Sequence, residues 1–174
     1  MIDPTSLTWD NSDARKPWTA QLLTSVEAAI PLLEQADADA FVAGYAGLGA
    51  PLRIKYWAEL LVAIAWFESN WNPNNITPEP SLGVDSIGLL QLSYEDQKSY
   101  HLPEPLDPAK KSLQDPLTNL RCGVYIFAHL VSQDKVVEGK DGGKYQGAAR
   151  YWSTIRQQEH LGEIQSRVKA ALGL

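Results

Sequence analysis

Residues 58 to 65 read AELLVAIA, among the most apolar stretches of the chain, and a carboxylate, Glu68, ends the run three residues later. Over the wider segment from Pro51 to Asn70, apolar side chains occupy nearly all sides of a helix, and a helix of that kind is buried. A domain near 174 residues removes about 70% of its unfolded surface from water. The sequence therefore predicts a mainly α fold around a central buried helix, with little or no β-sheet.

Apolar residues at helical spacing predict further helices on both sides of this segment. The predicted spans are 17–33, 37–45, 116–133, 145–157 and 159–172, with Asp115 as the cap of the third. Prolines and glycines exclude helix from three connectors, 71–86, 101–116 and 138–147. A loop as long as the first is usually functional, and the third is expected to be exposed and mobile. No piece between the connectors could bury its own core, so residues 1–174 are expected to form one domain.

Composition excludes several classes of function. The net charge of -6 argues against nucleic acid, because phosphate binding requires a basic face. No apolar run is long enough to insert into a membrane, and the first residues lack the pattern of a signal peptide. Cys122 is the only cysteine, and its apolar neighbours predict a buried thiol rather than a nucleophile.

No cofactor is expected either. The three histidines, His101, His129 and His160, are too scattered for a metal motif. No phosphate-binding glycine loop occurs. The six tryptophans are compatible with two roles, because their flat faces stack on sugar rings but also fill cores.

Glu68 is the first candidate for chemistry. On a helix, Trp57, Leu61, Ile64 and Glu68 fall on one apolar stripe. Burial raises the pKa of a carboxyl, and an acid still protonated near neutral pH can donate to a leaving oxygen, as glycoside cleavage requires. The alternative is a glutamate at a frayed helix end with its carboxylate in water.

Four segments together resemble the pattern shared by soluble lytic transglycosylases and goose-type lysozymes. They are the stretches ESNWNP from Glu68, SIGLLQLSYEDQ from Ser86, DPLTNLRCGVYIFAHL from Asp115 and GAARYWSTIR from Gly147. The family shows a Glu-Ser pair closing a buried helix, then a proline, a loop and Gly-Leu-Met-Gln followed by an apolar residue. Here Leu90 replaces the methionine, a swap of similar volume. In the last segment Trp152 replaces an asparagine, and the family's following glycine is missing.

The resemblance covers roughly residues 58 to 156 and implies a lysozyme-like fold. It implies a single catalytic domain over 1–174, in which 51–157 carry the motifs and 1–50 form an N-terminal helical extension. The substrate would be peptidoglycan or a related amino-sugar polymer, and the chain a monomer that acts in the periplasm or after secretion, of bacterial or phage origin.

The same resemblance assigns roles to individual residues. Glu68 would be the general acid that cleaves the β-1,4 bond between N-acetylmuramic acid and N-acetylglucosamine. Ser69 and Gln91 would hold the substrate, and Tyr151 would reach toward Glu68 or an acetamido group. The residues themselves leave other roles open: Gln91 as a buried amide that ties a loop to the helix, and Tyr151 as a packed aromatic.

The second half of the reaction separates two enzymes. An inverting hydrolase needs a second carboxylate to activate water, whereas a lytic transglycosylase lets the C6 hydroxyl of the substrate close a 1,6-anhydro ring. Goose-type hydrolases carry an aspartate where this chain has Ser93, which favours the transglycosylase. Asp85 is a possible water-activating base, and Glu95 and Asp96 are expected to be solvated charges at a helix start.

Two further alternatives stay open at this level. A net charge of -6 would suit a cationic glycan, such as chitosan or deacetylated peptidoglycan. A non-catalytic glycan-binding module could share the fold, although a binding protein has no use for a carboxyl with a raised pKa.

Overall fold

The predicted central helix is α3, Ala50–Ser69, in the computed structural model, which describes residues 2–174. Its middle, from Lys55 to Ala65, is buried without interruption. Pro51 lies in the first turn, where a missing N–H costs nothing. The helix ends at Asn70, whose left-handed backbone (φ 52°) forms the C-cap.

The other elements pack around α3. The helices are α1 (Lys16–Leu33), α2 (Ala38–Phe41), α4 (Asp96–Ser99), α5 (Pro116–Asp134) and α6 (Gln158–Leu172). The strands are β1 (Ile76–Glu79), β2 (Val84–Ile87), β3 (Glu138–Asp141) and β4 (Lys144–Gly147). Helix α1 packs against both α5 and α3, and α6 packs against α3. The predicted mainly α fold with a central buried helix and little β-sheet is confirmed.

One predicted helix and one predicted irregular loop were wrong. Residues 138–147 form the hairpin β3–β4, because Gly142 and Gly143 both adopt positive φ and so build the tight turn that joins two strands. Residues 145–157, predicted as helix, hold strand β4 and two 3-10 turns, Ala148–Arg150 and Ser153–Arg156. Gly147 ends the strand at φ 56°, against the backbone of Val136 and Val137.

The connector after α3 folds back as the antiparallel hairpin β1–β2, with Thr77 opposite Ser86 and Glu79 opposite Val84. The absence of helix predicted for 71–86 is confirmed. The hairpin lies beside the C-terminal end of α3, where the Asn75 side chain donates to the carbonyl of Glu68 at 3.4 Å.

The N-terminal segment is fastened to the central helix by a buried ion pair. Lys55 and Glu59, both on α3, lie 3.6 Å apart and are almost fully buried. Glu59 accepts from the backbone N–H and the hydroxyl of Thr8, at 3.0 and 2.7 Å, and Lys55 donates to the carbonyls of Asp3 and Ser6. Since each charge has partners, its burial is tolerated.

The loop from Gly88 to Leu92 is held by one buried amide. The side chain of Asn119, on α5, donates to the carbonyls of Ile87 and Leu113, both at 2.9 Å. It also accepts from the N–H of Leu90 at 2.9 Å. These bonds satisfy one backbone group of the loop, at Leu90, and two carbonyls outside it, at Ile87 and Leu113.

Two glycines allow the loop to lie this close to α5. Gly88 has φ 80°, and an added Cβ would lie 2.4 Å from the Asn119 side chain. At Gly123, on α5, an added Cβ would lie 2.3 Å from Leu90. Leu90 therefore packs directly on the helix backbone. This contact also fixes the position of the next residue, Gln91.

We expect Gly123→Ala to destabilise the fold by about 1–3 kcal/mol, because the new methyl group overpacks the contact with Leu90. Gly162→Ala is the matched control: Gly162 is an exposed helical glycine with nothing within 4 Å of an added Cβ, so the variant should gain about 0.5–1 kcal/mol of helix stability. Urea unfolding of both variants measures the change in the free energy of unfolding, which should be negative for Gly123→Ala and positive for Gly162→Ala. Equal effects would contradict the close approach at Gly123.

Candidate active site

A groove of about 430 Å³ opens at the C-terminal end of α3. Its lining includes residues from the helix end, the β1–β2 hairpin, the loop before α4 and the segment before α6. Among the lining residues are Glu68, Glu79, Gln91, Asp96, Arg150, Tyr151 and Arg156. The groove thus gathers three of the four predicted site residues.

Glu68 is half-buried and lines the groove. Burial raises the pKa of its carboxyl, and the negative charge of Glu79 raises it further. The hydroxyl of Thr154 donates to Oε1 at 2.6 Å and acts in the opposite direction, because it stabilises the ionised form. Oε2 receives no hydrogen bond from residues 2–174, so the proton of the acid can sit on the oxygen that is free to meet a ligand.

Glu79 is the groove carboxylate whose charge acts on Glu68, and the sequence analysis missed it. Glu79 and Val84 are directly paired across the hairpin and both line the groove. Asp85, the base considered from sequence, pairs with Pro78 and is exposed on the other face, since successive strand residues alternate. Only the pairing of β1 with β2 reveals which of the two carboxylates faces Glu68.

Gln91 adopts a left-handed backbone (φ 50°) that turns its side chain under the hairpin. Its amide nitrogen donates to the carbonyls of Gly88 at 2.9 Å and Asn75 at 3.2 Å. The amide therefore ties the loop to Asn75, next to strand β1, whereas the structural role considered from sequence was to tie the loop to the helix. Its oxygen accepts no bond from residues 2–174 and remains available to the groove.

Ser69 does not line the groove. It is buried, and its hydroxyl lies within hydrogen-bond distance of the carbonyls of Ala65, at 3.0 Å, and Leu89, at 2.9 Å. The expectation that Ser69 holds substrate does not fit this position, because the hydroxyl fastens the loop to the last turn of α3. The serine after Glu68 thus positions the neighbours of Gln91.

Tyr151 lines the groove, but its hydroxyl makes no hydrogen bond to Glu68. Its hydroxyl donates to Oδ2 of Asp96 at 2.5 Å, and burial together with that charge raises the pKa of Tyr151 well above its ordinary value. The side chain that contacts Glu68 is instead Thr154, which the sequence analysis did not single out. The two lie three residues apart in the irregular segment that had been predicted as helix.

Asp96 is not the solvated charge that was expected. Only 6% of its surface is exposed, and Oδ2 accepts from the N–H of Ser93 at 2.8 Å as well as from Tyr151. Burial raises the pKa of Asp96. The helix it begins, α4, is a single turn, which is too short to have shown its buried face as a sequence pattern.

The remaining candidates have structural roles. Trp9, Trp57 and Trp152 are fully buried, and the indole of Trp152 donates to the carbonyl of Leu90 at 2.9 Å. Cys122 is buried as predicted, and burial raises its pKa to about 12.

Within residues 2–174, no helix is both long and apolar enough to cross a membrane, and no group of His, Cys, Asp and Glu side chains could hold a metal ion.

The sequence profile of the transglycosylase SLT domain matches residues 50–163. The chain belongs to this family. The match covers the motif-bearing part predicted from sequence and extends a few residues into α6. No match was found among curated protein sequences.

Similar solved structures extend the likeness over nearly the whole chain. The wild-type form of DslA has a TM-score of 0.83 and 32% identity, with 96% of each chain covered. Two DslA variants, each with one glutamate changed to glutamine, show 31% identity at a TM-score of 0.83 and 30% at 0.81, again over 96% of each chain. The predicted lysozyme-like single domain is confirmed.

The Thr154 hydrogen bond predicts a shift in the pKa of Glu68. Thr154→Val removes the donor that favours the ionised carboxylate, so the pKa of Glu68 should rise. Thr154→Ser keeps the hydroxyl and should leave it nearly unchanged. Carbon-13 NMR titration of the carboxyl measures both. A pKa that falls or stays constant in Thr154→Val would contradict the bond.

Burial of Glu68 also predicts a pH dependence of stability. A carboxyl whose pKa is higher in the folded than in the unfolded state contributes stability below its unfolded pKa, about 4.3 for glutamate, and loses that contribution as the pH rises through the folded value. Glu68→Gln stays neutral, so its melting temperature relative to the unsubstituted protein should increase from acidic to neutral pH. Glu27→Gln, which replaces an exposed glutamate of α1, is the matched control.

Proposed function

We propose that this protein cleaves β-1,4 glycosidic bonds of peptidoglycan between N-acetylmuramic acid and N-acetylglucosamine, with Glu68 as general acid. The observation that carries the proposal is a half-buried carboxyl, with its pKa raised by burial, in the lining of a groove. Membership of the SLT family supports peptidoglycan as the substrate, and we propose a site of action outside the cytoplasm on the same ground.

The first step is a proton transfer. Glu68 in its protonated form donates from Oε2 to the glycosidic oxygen, the bond from that oxygen to C1 of the muramic residue breaks, and an oxocarbenium-like transition state forms. The hydroxyl of Thr154, on Oε1, stabilises the carboxylate that remains. It also fixes the orientation of the carboxyl, so that the proton faces the groove.

The second carboxylate favours water as the acceptor of the muramic residue. Glu79 lies in the same groove as Glu68, and an inverting hydrolase uses such a pair, one as acid and the other as the base that takes a proton from water. In DslA the two glutamates changed to glutamine lie eleven positions apart, the same separation as Glu68 and Glu79. We therefore propose hydrolysis, with Glu79 as the base.

Lytic transglycosylation is the second candidate, and the family match favours it. In that reaction the ionised Glu68 takes the proton of the C6 hydroxyl, whose oxygen attacks C1 and closes the 1,6-anhydro ring. Glu79 then has no role in bond breaking. The two reactions differ in their products and in their dependence on Glu79.

We expect Glu68→Gln to lower the clearing of purified cell walls by at least about 100-fold, because a glutamine cannot donate the proton. The control is Glu163→Gln, which replaces an exposed glutamate on α6 and should retain full activity. Undiminished clearing by Glu68→Gln would remove Glu68 from the mechanism. Walls that are bound but cleared by neither protein would instead favour the binding module considered from sequence.

Mass spectrometry of the products distinguishes the two reactions. Hydrolysis gives reducing ends and requires Glu79, so Glu79→Gln should lose at least about 100-fold in rate. Anhydro ends together with an active Glu79→Gln variant would contradict hydrolysis and favour transglycosylation.

A further inference from the structure

The side chain of Arg156 lines the groove without a carboxylate to neutralise it. Within residues 2–174, Arg156 makes no ion pair, whereas four other arginines each pair with an aspartate or a glutamate. These four are Arg53, Arg121, Arg150 and Arg167. The positive charge of Arg156 is therefore available to a ligand.

Neutral groups hold this guanidinium in place. Its Nε donates to the carbonyl of Ala149 at 2.7 Å, and Nη2 donates to the carbonyl of Arg150 at 3.1 Å. The ring of Tyr145 lies against it, with 4.3 Å between the ring centroid and the central carbon of the guanidinium, and the face of such a ring attracts a cation. Because the side chain is already fixed, binding a ligand costs little of its conformational freedom.

The other end of the guanidinium is free to donate. A guanidinium has five N–H groups, and the two carbonyls take one from Nε and one from Nη2, which leaves both groups of Nη1 and one of Nη2. Within residues 2–174, the one fully enclosed side-chain nitrogen or oxygen without a hydrogen bond is Nδ1 of His160, so Nη1 is not sealed from solvent. Two nitrogens at one end of an arginine form a fork that matches the two oxygens of a carboxylate.

This fork lies close to the proposed general acid. Arg156 ends the 3-10 turn Ser153–Arg156, and Thr154, in the same turn, donates to Glu68 at 2.6 Å. Lys140 lies over the same Tyr145 ring as Arg156, with its Nζ 5.1 Å from the centroid, and adds a second positive charge. This part of the protein is thus locally cationic although the chain carries a net charge of -6.

We infer that Arg156 binds a carboxylate carried by the C3 substituent of the muramic residue, and that it thereby distinguishes peptidoglycan from uncharged amino-sugar polymers such as chitin. This inference rests on the proposed function and adds a specificity to the same groove. In the proposed reaction the muramic residue loses the bond at its C1, and the lactyl group at C3 belongs to the same ring. The carboxylate is that of the lactyl group where no peptide is attached, and one of the stem peptide where a peptide is attached.

The ligand side is tested in Glu68→Gln, which prevents turnover. Calorimetry compares two pairs of oligomers of alternating N-acetylglucosamine and N-acetylmuramic acid, one pair without peptide and one pair with stem peptides. Within each pair the carboxyls are either free or converted to methyl esters, which removes the charge and changes the shape little. In at least one pair the acid should bind about tenfold or more tightly than its ester, and that pair identifies the source of the carboxylate.

The protein side is tested with Arg156→Gln in the same background. The measured quantity is the ratio of the affinities for acid and ester, so a general loss of affinity from a shifted segment cancels. We expect this ratio to fall from about tenfold or more to about one. Arg156→Lys is the second variant if glutamine prevents folding: it keeps a charge but lacks the planar fork, so its ratio should also fall.

The matched control is Arg150→Gln, which removes the same charge from the lining of the groove. Arg150 already pairs with Asp134 at 3.4 Å and donates to Gln133 at 3.1 Å, so the ratio should stay that of the parent. An equal fall in Arg150→Gln and Arg156→Gln would assign the effect to overall charge and overturn the subsite. A folded Arg156 variant with an unchanged ratio would overturn it as well.

The ligand comparison separates this subsite from the proposed function. If cell walls are cleared through Glu68 but acid and ester bind equally, or neither binds, only the subsite fails. If the acid is preferred through Arg156 but walls are not cleared, only the proposed function fails. If no oligomer binds and no wall is cleared, both fail.

Discussion

The geometry of the groove depends on the three hydrogen bonds of one buried amide, Asn119. One of them joins Leu90, in the loop from Gly88 to Leu92, to helix α5, and the other two hold Ile87 before the loop and Leu113 before the helix. The loop in turn carries Gln91. Because a buried amide that loses one partner costs about 1–3 kcal/mol, the loop has one favourable position rather than several. Gly123 permits that position and Ser69 fixes its other side.

Stability and chemistry conflict at the end of α3. A leucine in place of Glu68 would complete the apolar stripe, whereas the carboxyl must be kept partly out of water next to a second carboxylate, Glu79. The fold limits the cost with one donor, Thr154, which supplies less than full solvation. That incomplete solvation keeps the pKa of Glu68 raised, so the destabilising arrangement is also the one that retains a proton for transfer.

The sequence was sufficient for features that depend on local patterns. The central helix, the cap at Asp115 and the buried Cys122 follow from periodicity, from capping preferences and from apolar neighbours. The partners of Glu68 do not, because Thr154 lies 86 positions away and Glu79 faces the groove only through strand pairing. Asp96 was misjudged for the same reason: its burial depends on Tyr151, 55 positions later.

The apolar run of α3 ends because the backbone reverses direction at its C-terminal end. Asn70 and Trp71 both adopt left-handed φ, at 52° and 57°, and for a tryptophan that conformation costs about 1 kcal/mol or more. Burial of the Trp71 ring against Trp66 and its indole bond to the carbonyl of Val62 at 2.9 Å offset this cost. The reversal they stabilise turns the chain back along α3, and without it the β1–β2 hairpin could not bring Glu79 to the groove that Glu68 faces.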